Sequence, residues 1–246
     1  MIAKNRKEKT EFNFLKGEAL LIDKPLNWSS FKVVHELRKI IGVKKIGHAG
    51  TLDPRATGLL ILCTGKMTKS IDGYQGMPKV YTGDFMLGKR TKTMDTESEP
   101  YEEKSVSHLT PDLIINATKK FTGRILQVPP MYSAVNHQGS KLYQLAKKGE
   151  HVERKPREIE ITEFTITEIN LPIVKFRIAC SKGTYIRVIA EDYGLELGCG
   201  AYLHSLRRTA IGEYKVDDAF TMSEFKQHMS EIRTNDQISM TNDQSL

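Results

Sequence analysis

Gly47-His48-Ala49-Gly50-Thr51-Leu52-Asp53-Pro54-Arg55-Ala56-Thr57-Gly58 is the stretch on which the reading of this chain turns. Its glycines, proline and threonines mark an irregular loop between regular elements. Asp53 is its only acid. An aspartate before a proline often starts a turn, its carboxylate capping nearby backbone N–H groups, and that is the plainer reading. The alternative is a carboxylate held by a rigid loop beside positive charge, which stays ionised and can serve as nucleophile or base. His48 reads first as a structural hydrogen-bonder, and the same holds for Tyr81 and Tyr185.

Working outward, the charge is segregated. From Lys39 to Lys69 six basic residues surround Asp53 as the one acid, and from Lys141 to Arg157 six basic residues stand against two acids. Lys175, Arg177, Lys182 and Arg187 follow with no acid between them, whereas acids collect between Asp95 and Glu103 and in the last quarter. The whole chain has 246 residues with a net charge of +7. Clustering of this kind favours a polyanion-binding face over an evenly solvated surface. The longest apolar run, Leu59 to Cys63, falls far short of the roughly 20 residues of a membrane span. No apolar stretch follows the basic N-terminus, so no secretory signal is read there and a cytoplasmic protein is expected. Cys63, Cys180 and Cys199 are too widely spaced for a metal pair or a disulfide framework.

The flanking sequence alternates strands and helices without a regular βαβ rhythm, which predicts an α+β fold with a central mixed, largely antiparallel sheet flanked by helices and loops. Strands are expected at Glu18–Asp23, Thr57–Cys63, Val80–Leu87, Glu158–Thr162 and Val174–Ile178. A helix begins near Ser29, with Phe31, Val34, Leu37 and Ile41 as its apolar face and Gly42 as its stop. Thr110-Pro111-Asp112 opens a second helix, Thr184 caps a third, and Thr221-Met-Ser-Glu224 is a capping box for a last short one. The tail, with its repeated Thr-Asn-Asp-Gln at 234 and 241, reads as polar and mobile. No linker divides the chain. Gly58 to Lys66 fails the spacing of a phosphate loop, Gly198 to Leu203 lacks the third glycine of a dinucleotide fingerprint, and no metal-ligand set is present.

Taken together, Gly47-His48-x-Gly50-Thr51-Leu52-Asp53-Pro54-x-Ala56-Thr57-Gly58 resembles the signature of the TruB family of tRNA pseudouridine synthases. The resemblance continues in order along residues 18 to 215. It runs through Leu21-Ile-Asp-Lys24-Pro25 with Ser29-Ser30, Lys79-Val80-Tyr81 with Leu87-Gly88-x-Arg90-Thr91, and Gln127 to Ala134. It ends with Cys180 to Arg187 and Leu206-Arg207-Arg208-Thr209. It departs at Ala49, at Arg55 in place of the usual leucine, and at Lys92 in place of an aspartate.

The resemblance implies isomerisation of uridine 55 in the T-loop of tRNA to pseudouridine, with no cofactor and no metal. Asp53 matches the aspartate that attacks a flipped-out nucleotide, Arg187 the arginine that pairs with it, and Tyr81 the tyrosine that stacks on the target base. His48, Tyr185, Leu206, Lys24, Lys69, Lys182 and Arg207 are the expected substrate contacts. The expected partner is the T-arm of tRNA, bound by a monomer without membrane, protein partner or guide RNA. A basic extension (1–16), a catalytic domain (17–232) and a polar tail (233–246) are expected, with no PUA RNA-binding domain. A rival reading is an RNA-binding module without catalysis, and a third is a guide-RNA-dependent synthase.

Overall fold

The computed structural model describes residues 1–5, 12–133, 136, 137, 139–150 and 152–243. Part of the basic N-terminal extension, Ala134 of the central motif and the last three residues of the tail lie outside them. In chain order the elements are β1 (Ala19–Lys24), α1 (Ser30–Ile41), β2 (Ile46–His48), β3 (Ala56–Thr64), α2 (Ile71–Gly76), β4 (Lys79–Leu87), β5 (Lys89–Thr91), β6 (Pro100–Glu103) and α3 (Pro111–Ala117). There follow β7 (Gly123–Gln127), β8 (Asn136–His137), β9 (Ser140–Lys141), α4 (Leu142–Lys147), β10 (Arg157–Asn170), β11 (Ile173–Cys180), α5 (Ile186–Glu196), β12 (Ala201–Ile211), β13 (Tyr214–Lys215) and α6 (Met222–Asp243). The fold is α+β, as expected, and every ladder between named strands whose register is resolved here runs antiparallel. Among the described residues no helix is long and apolar enough to cross a membrane.

The chain forms two compact units: Met1–Met77 with Arg207–Leu246, and Pro78–Leu206. No linker betrays this in the sequence because the first unit is assembled from both ends of the chain. In it β3 pairs with β1, β2 and β12, and β13 with β12. Alternate residues of β1 and β3 serve opposite faces. Leu20, Ile22, Leu60 and Leu62 pack with Val33, Val34 and Leu37 of α1 and Phe225 of α6, while Leu21, Leu59 and Ile61 pack with Ile211 and Val216. A strand buried on both faces needs a continuous apolar run, which is why Leu59 to Cys63 carries no alternation.

Helix α1 follows the expected bounds with one change of phase. Ser29 caps it by accepting the Lys32 amide, and Gly42 closes it in the left-handed region at φ 71°. The buried residues are Ser30, Val33, Val34 and Leu37, an i, i+3, i+4, i+7 set. Phe31, expected on that face, is instead 67% exposed. The face starts at Ser30, whose hydroxyl is taken up internally, and this rotates Phe31 into solvent.

In the second unit the strand order is β12-β4-β11-β10-β7. Phe85 of β4 stacks on Phe176 of β11 at 4.1 Å between centroids. Tyr193 of α5 packs its ring 5.4 Å from that of Phe164 and donates its hydroxyl to the Ile114 carbonyl at 2.6 Å. Thr110 caps α3 as expected. Thr184 does not cap α5: its hydroxyl donates to the Ser181 carbonyl, and Tyr185 takes the cap position. The capping box at α6 forms, Thr221 N–H donating to Glu224 at 2.7 Å and Glu224 N–H to Thr221 Oγ1 at 3.2 Å. That helix is not short: it continues through the first polar repeat to Asp243, where a mobile tail was expected.

Candidate active site

In the first unit, the loop between β2 and β3 is fixed almost peptide by peptide. Ser30 Oγ accepts from the Leu52 amide at 2.9 Å and donates to the Leu52 carbonyl at 3.2 Å. The Ala56 amide donates to the Asp53 carbonyl at 3.0 Å, and the Asn27 amide to the Pro54 carbonyl at 2.9 Å. The largest holdfast is Arg208 of β12, only 1% exposed. Its Nε donates to the Leu59 carbonyl at 2.7 Å, Nη2 to that of Gly50 at 3.2 Å and Nη1 to that of Thr51 at 3.4 Å. A buried guanidinium is tolerated when oxygen acceptors replace its hydration, and here the acceptors are carbonyls of the loop that presents Asp53. Gly58 lets Arg208 come this close: its φ is +106°, and a Cβ there would stand 2.3 Å from the Arg208 carbonyl.

Lys24 and His48 both feel the charge of Arg208. Lys24, expected as a tRNA contact, is fully buried, with Nζ on the carbonyls of Pro25 (2.9 Å) and Trp28 (2.5 Å). Burial pushes its ammonium down to about 8, while the Asp53 charge acts in the opposite direction, favouring the ammonium. His48 is half-buried, and its Nδ1 has no hydrogen-bond partner among the described residues. Desolvation, helped by the positive field of Arg208, lowers its affinity for a proton and so favours the neutral imidazole. Arg207, also expected on the substrate, is held by Asp23 through two contacts, Nη1 to Oδ1 at 3.1 Å and Nη2 to Oδ2 at 2.7 Å. Lys69 lies exposed on the short 3-10 helix Gly65–Ser70.

The second unit carries the remaining expected residues. Tyr81 sits on β4 opposite Ile178 of β11 and is buried. Arg187, in the first turn of α5, is 6% exposed. Its Nε lies 3.6 Å from Asp95 Oδ2, and it donates to the carbonyls of Thr93 (3.2 Å) and Tyr132 (2.9 Å). Asp95 is oriented in turn by the Thr93 hydroxyl at 2.5 Å and the Glu97 amide at 2.9 Å. Gln127 brackets the residue that opens α5, accepting from the Tyr185 amide at 2.8 Å and donating to its carbonyl at 3.1 Å. Leu206 is half-buried, and Lys182 and Lys92 are exposed. In the sequence Asp95 stands out only as the first of an acidic stretch, and Ser30 and Arg208 only as members of longer motifs. Their signal was faint: each is a polar residue inside a motif read for its neighbours.

Residues 38–186 match the family described as TruB family pseudouridylate synthase (N terminal domain), and residues 187–241 the tRNA pseudouridylate synthase B C-terminal domain. The tRNA pseudouridine synthase B of Flavobacterium johnsoniae is 46% identical over 227 residues, 89% of this chain and 99% of that protein. That of Chlorobaculum tepidum is 51% identical over 211 residues, 84% of this chain and 88% of that protein. Among solved structures, a chain in the crystal structure of a Cbf5-Nop10-Gar1 complex aligns with a TM-score of 0.70 at 28% identity. The alignment covers 92% of this chain and 58% of that one, so this chain spans little more than half of its length. A fold of this type bearing this aspartate loop defines a pseudouridine synthase, an isomerase of RNA. The chain belongs to the TruB family.

Proposed function

We propose that this protein converts uridine 55 in the T-loop of tRNA to pseudouridine, with Asp53 as the nucleophile on a flipped-out nucleotide. The observation that carries the reading is the clamp on the Asp53 loop: the backbone carbonyls of residues 50 to 54 are all hydrogen-bonded, by Arg208, Ser30, Ala56 and Asn27. A carboxylate that only capped a turn would not need a buried guanidinium to hold its loop. Preorganisation of that kind suits a group that must meet a reacting centre in one geometry.

The reaction balances without a cofactor. The bond from N1 to C1′ breaks, the base turns, and C5 bonds to C1′; C5 then loses a proton and N1 gains one. Asp53 bonds to the nucleotide as the N1–C1′ bond breaks, and that bond is broken again as the product forms, which returns the carboxylate free. Arg187, kept in place by Asp95 and two carbonyls, is the residue that matches the family's arginine, and Tyr81 is the one that stacks on the base. Extrusion of the uridine costs a few kcal/mol, supplied by tRNA binding. The basic clusters grip phosphates, so affinity falls as salt rises. The protein acts as a cytoplasmic monomer on tRNA alone.

Incubation of unmodified tRNA transcript with the protein, and no other protein or RNA, is expected to place pseudouridine at position 55, mapped by carbodiimide-blocked primer extension. Asp53→Asn is expected to abolish the product while tRNA is still bound. Turnover by that variant, or product at another position, would overturn the reading.

A further inference from the structure

Beside the Asp53 loop lies a surface that this chemistry leaves unassigned. Leu26 is 51% and Phe31 67% exposed, and Asn27, Lys32 and Arg55 are exposed next to them in sequence or by hydrogen bond. Lys32 Nζ stands 4.4 Å from the centroid of the Trp28 ring. Arg55 Nη1 donates to Asn27 Oδ1 at 3.0 Å, and the Asn27 amide donates back to the Pro54 carbonyl at 2.9 Å. Asn27 takes up the left-handed region at φ 62°. The two segments 26–31 and 52–55 are thus locked together through Asn27 and Ser30.

Arg55 is exposed and differs from the arginines that are neutralised by an acid. Arg90, Arg187 and Arg207 each face a carboxylate, from Glu102 and Glu191, from Asp95 and from Asp23. Arg55 is instead hydrogen-bonded to a neutral amide, and among the described residues no carboxylate pairs with it. One contact orients the guanidinium and leaves its other N–H groups and its full charge to solvent, which is the disposition of a phosphate ligand.

We propose that this surface binds the tRNA nucleotides flanking the isomerised uridine, with Arg55 on a backbone phosphate and Phe31 stacked on a base. The proposal rests on the reading of Asp53 as the nucleophile. Only Pro54 separates Asp53 from Arg55, so their Cα atoms lie within about 7 Å. A nucleotide held at the carboxylate therefore brings its own phosphate or the next one within the reach of an arginine side chain. A single exposed apolar residue means little. An exposed aromatic ring on the helix that Ser30 ties to the Asp53 loop, with an exposed arginine on that loop, offers what unstacked bases use: a π-face to stack on and charge for the backbone.

The test is binding and turnover of unmodified tRNA transcript by the full chain over a range of salt concentrations, for wild type, Arg55→Met, Arg55→Lys and Phe31→Ala. Arg55→Met is expected to weaken tRNA binding several-fold at moderate salt and to flatten the slope of log affinity against log salt by about 0.7 to 0.9, one phosphate contact. Arg55→Lys should keep the slope. Phe31→Ala should weaken binding with the slope unchanged, because stacking releases no counterions. The loss should fall on KM more than on the single-turnover rate at saturating tRNA. Arg55→Met with wild-type affinity and slope, or Phe31→Ala with wild-type affinity, would overturn the proposal, as would a weakening traced to unfolding by thermal denaturation. A wild-type protein that binds tRNA but leaves uridine 55 unchanged would instead overturn the reading of Asp53, and the salt slope would still report on Arg55.

Discussion

The hydroxyl of Ser30 closes both backbone groups of Leu52, accepting from its amide at 2.9 Å and donating to its carbonyl at 3.2 Å. Both residues are buried, so no water can replace the hydroxyl without rearrangement. Ser30→Ala leaves a buried N–H and a buried C=O unpaired and is expected to cost about 1–3 kcal/mol of stability, read by thermal or denaturant unfolding. Because the next residue is Asp53, the single-turnover rate at saturating tRNA is expected to fall by an order of magnitude or more, with tRNA affinity preserved. Loss of affinity with an intact rate would refute the positioning role.

Arg208 acts on the same loop by geometry and by charge. Arg208→Met removes the donors to the Gly50, Thr51 and Leu59 carbonyls and is expected to destabilise by about 3 kcal/mol or more. It also removes a cation that holds the proton affinity of His48 down. The His48 imidazole is therefore expected to titrate higher in Arg208→Met than in the wild type, followed by NMR; an unchanged titration would show that the guanidinium field does not reach the ring.

Asp95 is the carboxylate that faces Arg187 in the second unit. Asp95→Asn keeps the shape and removes the charge, leaving a buried guanidinium with the carbonyls of Thr93 and Tyr132. A stability loss of about 3 kcal/mol is expected, together with a fall in turnover that Lys92→Asp, a change at an exposed position nearby, does not repair. Unfolding measurements and single-turnover assays on the two variants would check both parts.

Lys24 gives the pH dependence. Its pKa in the fold is about 8, lowered from 10.5 by burial. Between those values the unfolded chain holds a proton at this side chain that the folded one has released, so raising the pH favours the fold. The stability of wild type minus that of Lys24→Met is expected to be flat below pH 8 and to rise by up to about 3 kcal/mol as the pH approaches 10.5. Denaturant titrations of both proteins across that range would reveal a difference of the opposite sign if burial does not dominate.

Much of this was legible in the sequence because local rules and tertiary packing agreed. Gly42, Thr110 and the pair Thr221–Glu224 punctuate their helices as their side-chain chemistry predicts. Two kinds of position escaped. Phe31 has the right spacing for the core and is exposed because the neighbouring Ser30 took the inward position. Strand β12 carried no alternation to read because Arg208, a buried charge, stands where a strand pattern wants an apolar side chain. Both exceptions serve the Asp53 loop, and neither signal is local: each depends on a partner 22 or more residues away.

The first unit also has a history in time. Asp53 and Arg208 are separated by 155 residues of chain, so on a ribosome adding 5–20 residues per second the loop waits roughly 10–30 s for its anchor. Pro78–Leu206, being continuous, has all its parts before that anchor is made. The nascent chain thus carries the Asp53 loop unset through most of synthesis, and the loop takes its held form only once β12 has been translated through Arg208.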